Sequence, residues 1–514
     1  MQTKRRWAPG HDARATHRAG ALAGCIATLA VVLSVAACGH GSAVDPISVD
    51  ADSAVVPRAV CGPGSSPETG LQGEVSRADR DSGRSARGYR CNLELVGQYQ
   101  GEGASWVNPS TSHCAYLSTS FLGVLRKASP GVQVIDVSDP AAPKLATHLT
   151  SASMLVGPWE SLKVNEARGL LGAVSVGPLI GGLFFDIYDI AGDCTAPVHL
   201  NGVAQTGLEL PANVLGHEGD FSPDGMTYWA TGLALGAITA IDVSDPTQPR
   251  IVYTGIAGFP VNHGVEFSAD GRRMYLATIF PGGVIAYDIS DIQDRVPSPR
   301  IHELGRVSWN PTSAGQQPLR VSYDGHPYLF VSDEFGAGGV YLVDIADETQ
   351  PTVVGQIRLE IQQPEHAHLR VDEAGANGLF GYEGHYCTVD RRDNPTALAC
   401  GFFNSGIRVF DVRDPLAPRE IAYFNPPAQA GKAAQLPSSE HAAGFALAPT
   451  LSDVPSALYS IGSYAIDLTK LSTADLSADW CSSPPRFVGN QLWASCQDNG
   501  FMVLRFTNDA YPLH

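Results

Sequence analysis

A phrase that recurs along the chain constrains its fold more than any other feature. It consists of a glycine, an alternating apolar run that ends in aspartate, and the step Asp-Pro-x-x-Pro. Its three clearest copies begin at Gly131, Gly236 and Gly406. The alternating run predicts a strand with one buried face, because successive side chains of a strand point to opposite sides. The Asp-Pro step predicts a chain reversal, since proline lacks the amide hydrogen that would continue the pairing.

Diverged copies raise the number of units to seven. They occupy residues 183–197, 283–291 and 339–351, while residues 500–506 keep only the strand. The aspartates that end the first six apolar runs are 53, 53, 46, 56 and 67 residues apart. These intervals are near the length of a four-stranded unit with its loops.

A closed ring explains how such units bury their apolar faces. The sequence predicts an all-β chain that forms a single β-propeller of four-stranded blades; we expect seven blades, and six with an irregular closure are the alternative. Residues 92–100 have the character of the outer strand that the last copy lacks. We therefore expect an N-terminal strand to complete the last blade and close the ring. A tandem array of separate repeats is the alternative, but each unit alone would leave apolar surface uncovered.

The repeated phrase resembles the LVIVD-repeat family of bacterial and archaeal surface proteins. The resemblance covers about residues 90–507 and implies a propeller at the cell surface, without implying an activity. The second and last copies depart from the family pattern, and an insertion spans about residues 427–478.

The N-terminal residues predict export and attachment to a membrane. Residues 1–37 combine a basic start with an uncharged apolar stretch, which is typical of a signal peptide. Val35-Ala36-Ala37-Cys38 resembles a bacterial lipobox, so we expect cleavage before Cys38 and a lipid on its thiol; an ordinary signal peptidase site is the alternative. Residues 38–88 are predicted to form the lipid anchor and a flexible tether, and residues 89–514 the propeller. The expected location is the extracytoplasmic face of the cell membrane.

The charge of the chain argues against one class of partner. The formal net charge is −18, and loss of residues 1–37 removes five basic residues and one aspartate, which changes it to −22. A protein this acidic is repelled by phosphate backbones. We therefore expect no nucleic acid among its partners.

Eight cysteines follow Cys38, and an even number in an exported chain predicts disulfides. Cys387 and Cys400 precede the glycine-led strand of one copy, and Cys481 and Cys496 precede that of another, which indicates two equivalent pairs. The remaining four cysteines allow three connectivities, so their pairing stays open. They are Cys61, Cys91, Cys114 and Cys194.

Histidines show a regular spacing that the fold does not demand. His217 and His263 lie seven residues before the aspartates of two Asp-Gly turns, and His366 lies seven before Glu373 in a looser Glu-Ala-Gly turn. We expect the three to occupy the same place in three blades, near one mouth of the central channel. Other polar side chains should lie close by: Glu218, Glu266 and His368.

Three converging imidazoles could hold zinc or copper and leave a position open for water or substrate. This arrangement also resembles the selenium-binding-protein propellers, whose channel histidines are linked to copper. A shared metal requires imidazole nitrogens within about 6 Å of one another, because the bonds are about 2 Å long. The alternative is that each histidine bridges backbone groups at the start of a strand.

Two functions follow from these features. The first is an anchored, non-enzymatic surface scaffold that binds an unknown protein, peptide or glycan. The predicted anchor, the disulfides and the lack of a complete catalytic motif favour it. The second is a metal-dependent oxidoreductase or hydrolase in which Glu218 or Glu266 acts as the acid-base group. Its metal ligands would be His217, His263 and His366, with His368 nearby.

Overall fold

The apolar run of the repeated phrase forms the third strand of each of the first six blades. The computed structural model describes residues 55–120, 131–175, 184–202, 216–232, 236–310, 313–334, 338–373, 380–444, 460–461, 464–465 and 476–513. The first six third strands end on the repeated aspartate. In each case the Oδ1 atom accepts the backbone N–H two residues later, which fixes the turn.

The described strands form seven antiparallel blades in a ring, as the sequence predicts. In blades 1 to 5, strands that neighbour one another in a sheet are consecutive in the chain. Blade 1 contains Ser110–Thr111, Cys114–Leu117, Val132–Asp136 and Lys144–Leu149. Blade 2 contains Lys163–Asn165, Leu170–Val174, Phe185–Asp189 and Val198–His199. Blade 3 contains Gly216–Phe221, Thr227–Gly232, Ala237–Asp242 and Arg250–Ile256. Blades 4 and 5 contain Asn262–Phe267, Arg273–Thr278, Gly282–Asp288 and His302–Asn310; and Gly315–Tyr323, His326–Asp333, Gly339–Asp344 and Thr352–Ile357.

The last two blades close the ring with strands from the N-terminal part of the chain. Blade 6 contains Cys387–Val389, Ala397–Phe402, Gly406–Asp411 and Arg419–Asn425, and blade 7 contains Arg486–Val488, Gln491–Cys496 and Gly500–Phe506. Leu93–Tyr99 pairs with Gly500–Phe506 as the outer strand of blade 7, so the predicted closure is confirmed. Tyr89–Cys91 adds a fifth strand to blade 6.

The first strands of neighbouring blades lie against one another around the central channel, as in blades 2 to 6. Apolar side chains fill the space between the sheets, where the third strands are almost wholly buried. Only short helices interrupt the sheets in the described residues. They are Arg77–Asp81, Ala152–Val156, Ser290–Gln293, Ala367–Glu373 and Glu440–Gly444, with 3-10 turns at Arg84–Arg87, Glu360–Gln362, Pro364–His366 and Ala433–Gln435. None of these described helices has the length and apolar character needed to cross a bilayer.

The segment before the propeller differs from the expected flexible tether. Residues 55–88 pack on blades 5 and 6, where Val56 joins the apolar core. The buried guanidinium of Arg408 lies 2.8 Å from Glu68 of this segment and 2.9 Å from Glu420 of blade 6. Buried ion pairs and apolar contacts hold the segment although its composition resembles a linker, so the prediction was wrong for these residues. Residues 38–54 lie outside the described part of the chain.

Four disulfides join the eight described cysteines. The expected pairs Cys387–Cys400 and Cys481–Cys496 are confirmed. The first links the first two strands of blade 6, and the second links the segment before blade 7 to the second strand of that blade. The connectivity that the sequence left open is resolved as Cys61–Cys91 and Cys114–Cys194. Four disulfides indicate an oxidising, extracytoplasmic setting. The insertion is described at residues 427–444, in a ribbon formed by Ser460–Ile461 and Tyr464–Ala465, and from residue 476 onwards.

Candidate metal centre

Local irregularities at the start of the innermost strands direct polar side chains towards the channel. The pairing of the first two strands shifts register around His217 in blade 3, His263 in blade 4 and Gln316 in blade 5. In blade 6, Gly401 bonds both the N–H of His385 and the carbonyl of Tyr386, so that two residues again oppose one. Such bulges re-aim side chains. The four blades therefore present three histidines and a glutamine at equivalent places.

A buried carboxylate from blade 2 lies among these histidines. Glu160 precedes the innermost strand of that blade and is 1% exposed. Its Oε2 atom lies 3.0 Å from Nε2 of His217 and 3.2 Å from Nε2 of His263. Its Oε1 atom lies 2.9 Å from Nε2 of His385. One carboxylate thus contacts three imidazoles, each through Nε2.

Other groups orient two of the imidazoles through Nδ1. Nδ1 of His385 lies 2.8 Å from the carbonyl oxygen of Ser482. Nδ1 of His263 lies 3.2 Å from both the carbonyl oxygen of Gln316 and Oε2 of Glu218. A histidine that binds a metal through one nitrogen usually donates the other N–H to a carbonyl or carboxylate, which fixes the ring and the tautomer. These contacts leave Nε2 as the nitrogen that faces Glu160.

The contacts with Glu160 are compatible with two kinds of bonding. Two imidazole nitrogens lie within 3.2 Å of its Oε2 atom, and a hydrogen bond from His217 contributes to the lowered pKa of this carboxylate. Metal bonds of about 2.0–2.1 Å in tetrahedral geometry place ligand atoms about 3.3 Å from one another, without alignment of donor and acceptor. The two nitrogen–oxygen distances are near that spacing, and the three ligand atoms lie within 4.8 Å of one another.

Buried negative charge is concentrated at this place. Glu160, Glu218 and Glu334 are all at least nine-tenths buried, and Lys163 lies beside them with its Nζ atom 3.3 Å from Glu218. Burial raises the pKa of Glu160, but the three imidazoles outweigh it and hold that pKa well below its usual range. Burial of unpaired carboxylates is costly. Cations must therefore balance this cluster, either as protons on the imidazoles or as metal ions.

Protonated imidazoles are the alternative to a bound metal ion. Burial lowers the pKa of His263, but Glu160 and Glu218 raise it to about 9 overall. Burial likewise lowers the pKa of His385, whereas Glu160 and Glu334 raise it to about 10. Without a metal these imidazoles are cationic at neutral pH. Metal ions and protons would compete for the same nitrogens, as at other histidine sites.

An aromatic cluster covers one side of the histidines. Trp106 lies with its ring centroid 5.4 Å from that of His385 and stacks on Trp159 at 5.7 Å. Trp159, which is half-buried, lies 5.3 Å from His217. The remaining members, buried behind Trp106, are Phe380, Phe403 and Trp480. An apolar shell of this kind limits access of solvent to the polar groups beneath it.

The structure brings together some of the residues expected at the site. His217 and His263 lie together, with ring centroids 4.8 Å apart and with Glu218 beside His263. His366 was wrongly expected at the same place: it ends the 3-10 turn Pro364–His366, outside the blades, and is half-buried. His368 lies exposed on the following helix. Glu373 is the last described residue of that helix and does not lie in a strand, so its spacing to His366 does not mark the place that His217 and His263 occupy.

Glu266 also lies elsewhere. Its carboxylate pairs with Arg392 and accepts the N–H groups of Arg320 and Phe267, at 3.1 and 2.9 Å. These partners hold it away from the imidazoles. The expectation that it lies beside them was therefore wrong, because Arg392 and two backbone N–H groups bind its carboxylate instead.

Sequence reasoning missed Glu160, His385 and Glu334. His385 directly follows a glycine, as His217 does, and it precedes a strand that carries the disulfide cysteine Cys387. These two features could have identified it. Glu160 lies nine residues before the turn glycine Gly169, against eight for His217 and Gly225. Glu334 follows the second strand of blade 5 and carries no local signal.

Comparisons with known proteins identify the repeat. The LVIVD repeat model matches residues 129–150. No curated protein matches the chain. A solved protein from Lactobacillus plantarum is 16% identical, with 64% of this chain and 89% of that chain covered and a TM-score of 0.45. The periplasmic gluconolactonase of Pseudomonas aeruginosa is 15% identical, with 64% and 95% covered and a TM-score of 0.43.

A functionally unknown protein from Desulfotomaculum acetoxidans is 12% identical, with 63% and 89% covered and a TM-score of 0.40. Similarity at this level says nothing about activity. The matched repeat lies in blade 1, and the same phrase recurs around a ring of seven blades. The chain is an LVIVD-repeat β-propeller.

Proposed function

We propose that this protein is an extracytoplasmic metalloprotein whose propeller channel binds a zinc or copper ion through His217, His263 and Glu160. The observation that supports this most is the pair of Nε2 atoms that lie 3.0 and 3.2 Å from one buried carboxylate oxygen, which is near the spacing of neighbouring ligands on a metal ion. The three ligand atoms lie within 4.8 Å of one another. Imidazole and carboxylate ligands suit both metals.

Three protein ligands would leave a coordination position for water or substrate, as in catalytic zinc sites. The bound ion would polarise a substrate oxygen or lower the pKa of a water molecule. Glu218 lies behind His263, at Nδ1, and so acts as a positioning residue that orients the imidazole. This geometry supports an orienting role for Glu218 more than the acid-base role considered from the sequence.

The second part of the proposal concerns the cellular location of the protein. The lipobox-like Val35–Cys38 and the four disulfides support a chain anchored at the outer face of the membrane by a lipid on Cys38. A C38S variant should lose incorporation of labelled palmitate and appear in the soluble fraction. Retention of the label by the variant would contradict the anchor.

Elemental analysis tests the metal. The chain from residue 39, purified from the periplasm without an affinity tag, should contain zinc or copper in at least near-stoichiometric amount. The His217→Ala/His263→Ala double variant should hold one ion fewer per chain. His326→Ala is the matched control, because His326 pairs with Asp344 on an exposed hairpin of blade 5 and should retain the full content.

A protein that stays metal-free after reconstitution with either ion would contradict the proposal. The histidines would then be a protonated cluster that neutralises Glu160. That result would favour the anchored scaffold for a protein, peptide or glycan, and binding partners would become the next object of study.

A further inference from the structure

The two oxygens of the Glu160 carboxylate contact different histidines. Oε2 faces His217 and His263, whereas Oε1 lies 2.9 Å from Nε2 of His385. That nitrogen also lies 3.3 Å from Oε1 of Glu334, which is 6% exposed. Glu160, Glu334 and His385 thus form a second group whose ligand atoms lie within 4.8 Å of one another.

The two groups share Glu160 and no other member. His217 and His263 belong to the first group, and His385 and Glu334 to the second. Ligands of a single tetrahedral ion would be about 3.3 Å apart throughout. The arrangement instead has a bridging carboxylate between two ligand sets, which is typical of two-metal sites with ions about 3.5–4 Å apart.

Gln316 lies beside His385 and would supply an oxygen ligand after rotation of its amide group. Its amide nitrogen lies 3.1 Å from Nε2 of His385, and its buried Oε1 atom has no hydrogen-bond partner among the described residues. A half-turn of the amide exchanges the two atoms and places the oxygen beside that imidazole nitrogen. After that rotation Oε1 would bind a metal ion held by His385 or, without a metal, accept the Nε2–H of the protonated imidazole.

The charge of the cluster also accommodates a second cation. Glu160 and Glu334 supply two buried negative charges to the two ligand sets, and Glu218 supplies a third behind His263. Of these three carboxylates, Lys163 is paired with that of Glu218, at 3.3 Å. One divalent ion with neutral imidazoles neutralises the other two carboxylates, so a second ion is accommodated only together with a bridging hydroxide or an anionic substrate.

We infer that the channel binds two divalent transition-metal ions, bridged by Glu160, with the second ion held by His385 and Glu334. This inference rests on the proposed function, because it adds a second ion to the first. Two ions at this distance can hold both the attacking and the leaving oxygen of a displacement reaction. The centre would then suit hydrolysis of an ester or phosphoester better than a single ion would.

Metal stoichiometry tests the inference on the full exported chain from residue 39. After dialysis against zinc and removal of free ions, the wild-type protein should hold two zinc ions per chain. Glu334→Gln and His385→Gln should each hold one, and His217→Gln/His263→Gln should lose the first ion. His326→Ala should hold two. Circular dichroism should confirm folding of every variant.

Copper provides a second readout. Two Cu(II) ions joined by a carboxylate are magnetically coupled, so the wild-type electron paramagnetic resonance signal should be weaker than its copper content requires. Glu334→Gln should restore the full signal of an isolated ion. Coupling that persists in that variant would overturn the assignment of the second ion.

The outcomes separate the two proposals. One ion per chain that is retained by Glu334→Gln and His385→Gln would overturn the second site while leaving the proposed function intact. One ion that is lost from both His217 and His385 variants would also overturn it, since all three histidines would then bind a single metal. A protein without any metal would contradict the proposed function and, with it, this inference.

Discussion

Glu160 is the residue whose replacement should have the largest effect on the channel. Its oxygens contact three imidazoles, and no other side chain is shared by both ligand sets. Glu160→Gln keeps the volume and removes the charge. We expect zinc affinity to fall by at least about 100-fold, because even second-shell substitutions lower affinity by 10- to 100-fold. Competition with a chelator measures this change.

Glu266→Gln is the matched control for Glu160→Gln. Glu266 also faces the channel, but it pairs with Arg392 and not with histidine. Its replacement should leave zinc affinity within about threefold of wild type, as the bonds to the metal are not touched. Equal losses in the two variants would show that the effect is general destabilisation.

Glu218 should act through His263 instead of through the metal directly. Glu218→Gln keeps a hydrogen-bond acceptor near Nδ1 of His263 but weakens it. We expect a drop in zinc affinity of about 10-fold and no change in the number of ions bound. A loss of one whole ion from this variant would instead make Glu218 a ligand.

The aspartate turns at the ends of the third strands set the response of the fold to acid. The Ser138 hydroxyl and N–H lower the pKa of Asp136. Burial raises the pKa of Asp411, but Arg413 and Arg419 outweigh it and lower that pKa to about 2. An unfolded aspartate titrates near about 3.9. The depressed values therefore add stability above that pH, and this stability is lost as the pH falls towards about 2.

Urea unfolding of residues 55–514 at a series of pH values measures this loss. The free energy of unfolding should fall between about pH 4 and pH 2, and Asp411→Asn should reduce the slope. An identical slope in that variant would contradict the role given to Asp411. Metal should be removed before the measurement, since its release in acid would add to the change.

The half-buried Trp159 should control how quickly the channel exchanges metal. It lies between Trp106 and His217 at the edge of the aromatic cluster. Trp159→Ala should accelerate release of zinc to a chelator by at least about tenfold, because it removes the outer part of the apolar cover. Leu416→Ala, at an exposed turn of blade 6, should leave the rate unchanged. Equal rates in all three proteins would contradict the role of Trp159.

The elements were more predictable from the sequence than the site. Strands of the repeated phrase end on the aspartates because that side chain bonds the turn within its own phrase. His385 depends on a bulge before a short strand, and Glu160 on a blade whose inner strand begins only at Lys163. Bulges and the distance across a channel depend on tertiary packing. Spacing along the chain therefore predicted correctly that His217 and His263 lie together, but it predicted the wrong position for His366.

At the scale of the whole molecule, ring closure joins the two ends of the chain. Leu93–Tyr99 pairs with the last strand, and Tyr89–Cys91 pairs with blade 6. A chain that begins at residue 100 should therefore lose cooperative unfolding, because blade 7 has an open edge and its apolar face is uncovered. Calorimetry of this chain and of residues 55–514 provides the comparison.

The control for that truncation is the chain from residue 39. It should unfold at the same temperature as residues 55–514, because the described contacts of the N-terminal segment begin at Val56. A chain from residue 100 that unfolds like the two longer ones would contradict closure by the N-terminal strand. The packing of residues 55–88 on blades 5 and 6 was not predictable from their linker-like composition, since it depends on Arg408 reaching Glu68.

Anomalous diffraction tests metal binding in the channel most directly. Crystals of residues 55–514 grown with zinc would be measured above and below the zinc absorption edge. We expect a peak about 2 Å from Nε2 of His217, Nε2 of His263 and Oε2 of Glu160. A channel without such a peak, in which the imidazoles donate hydrogen bonds to Glu160, would contradict the proposed metal centre.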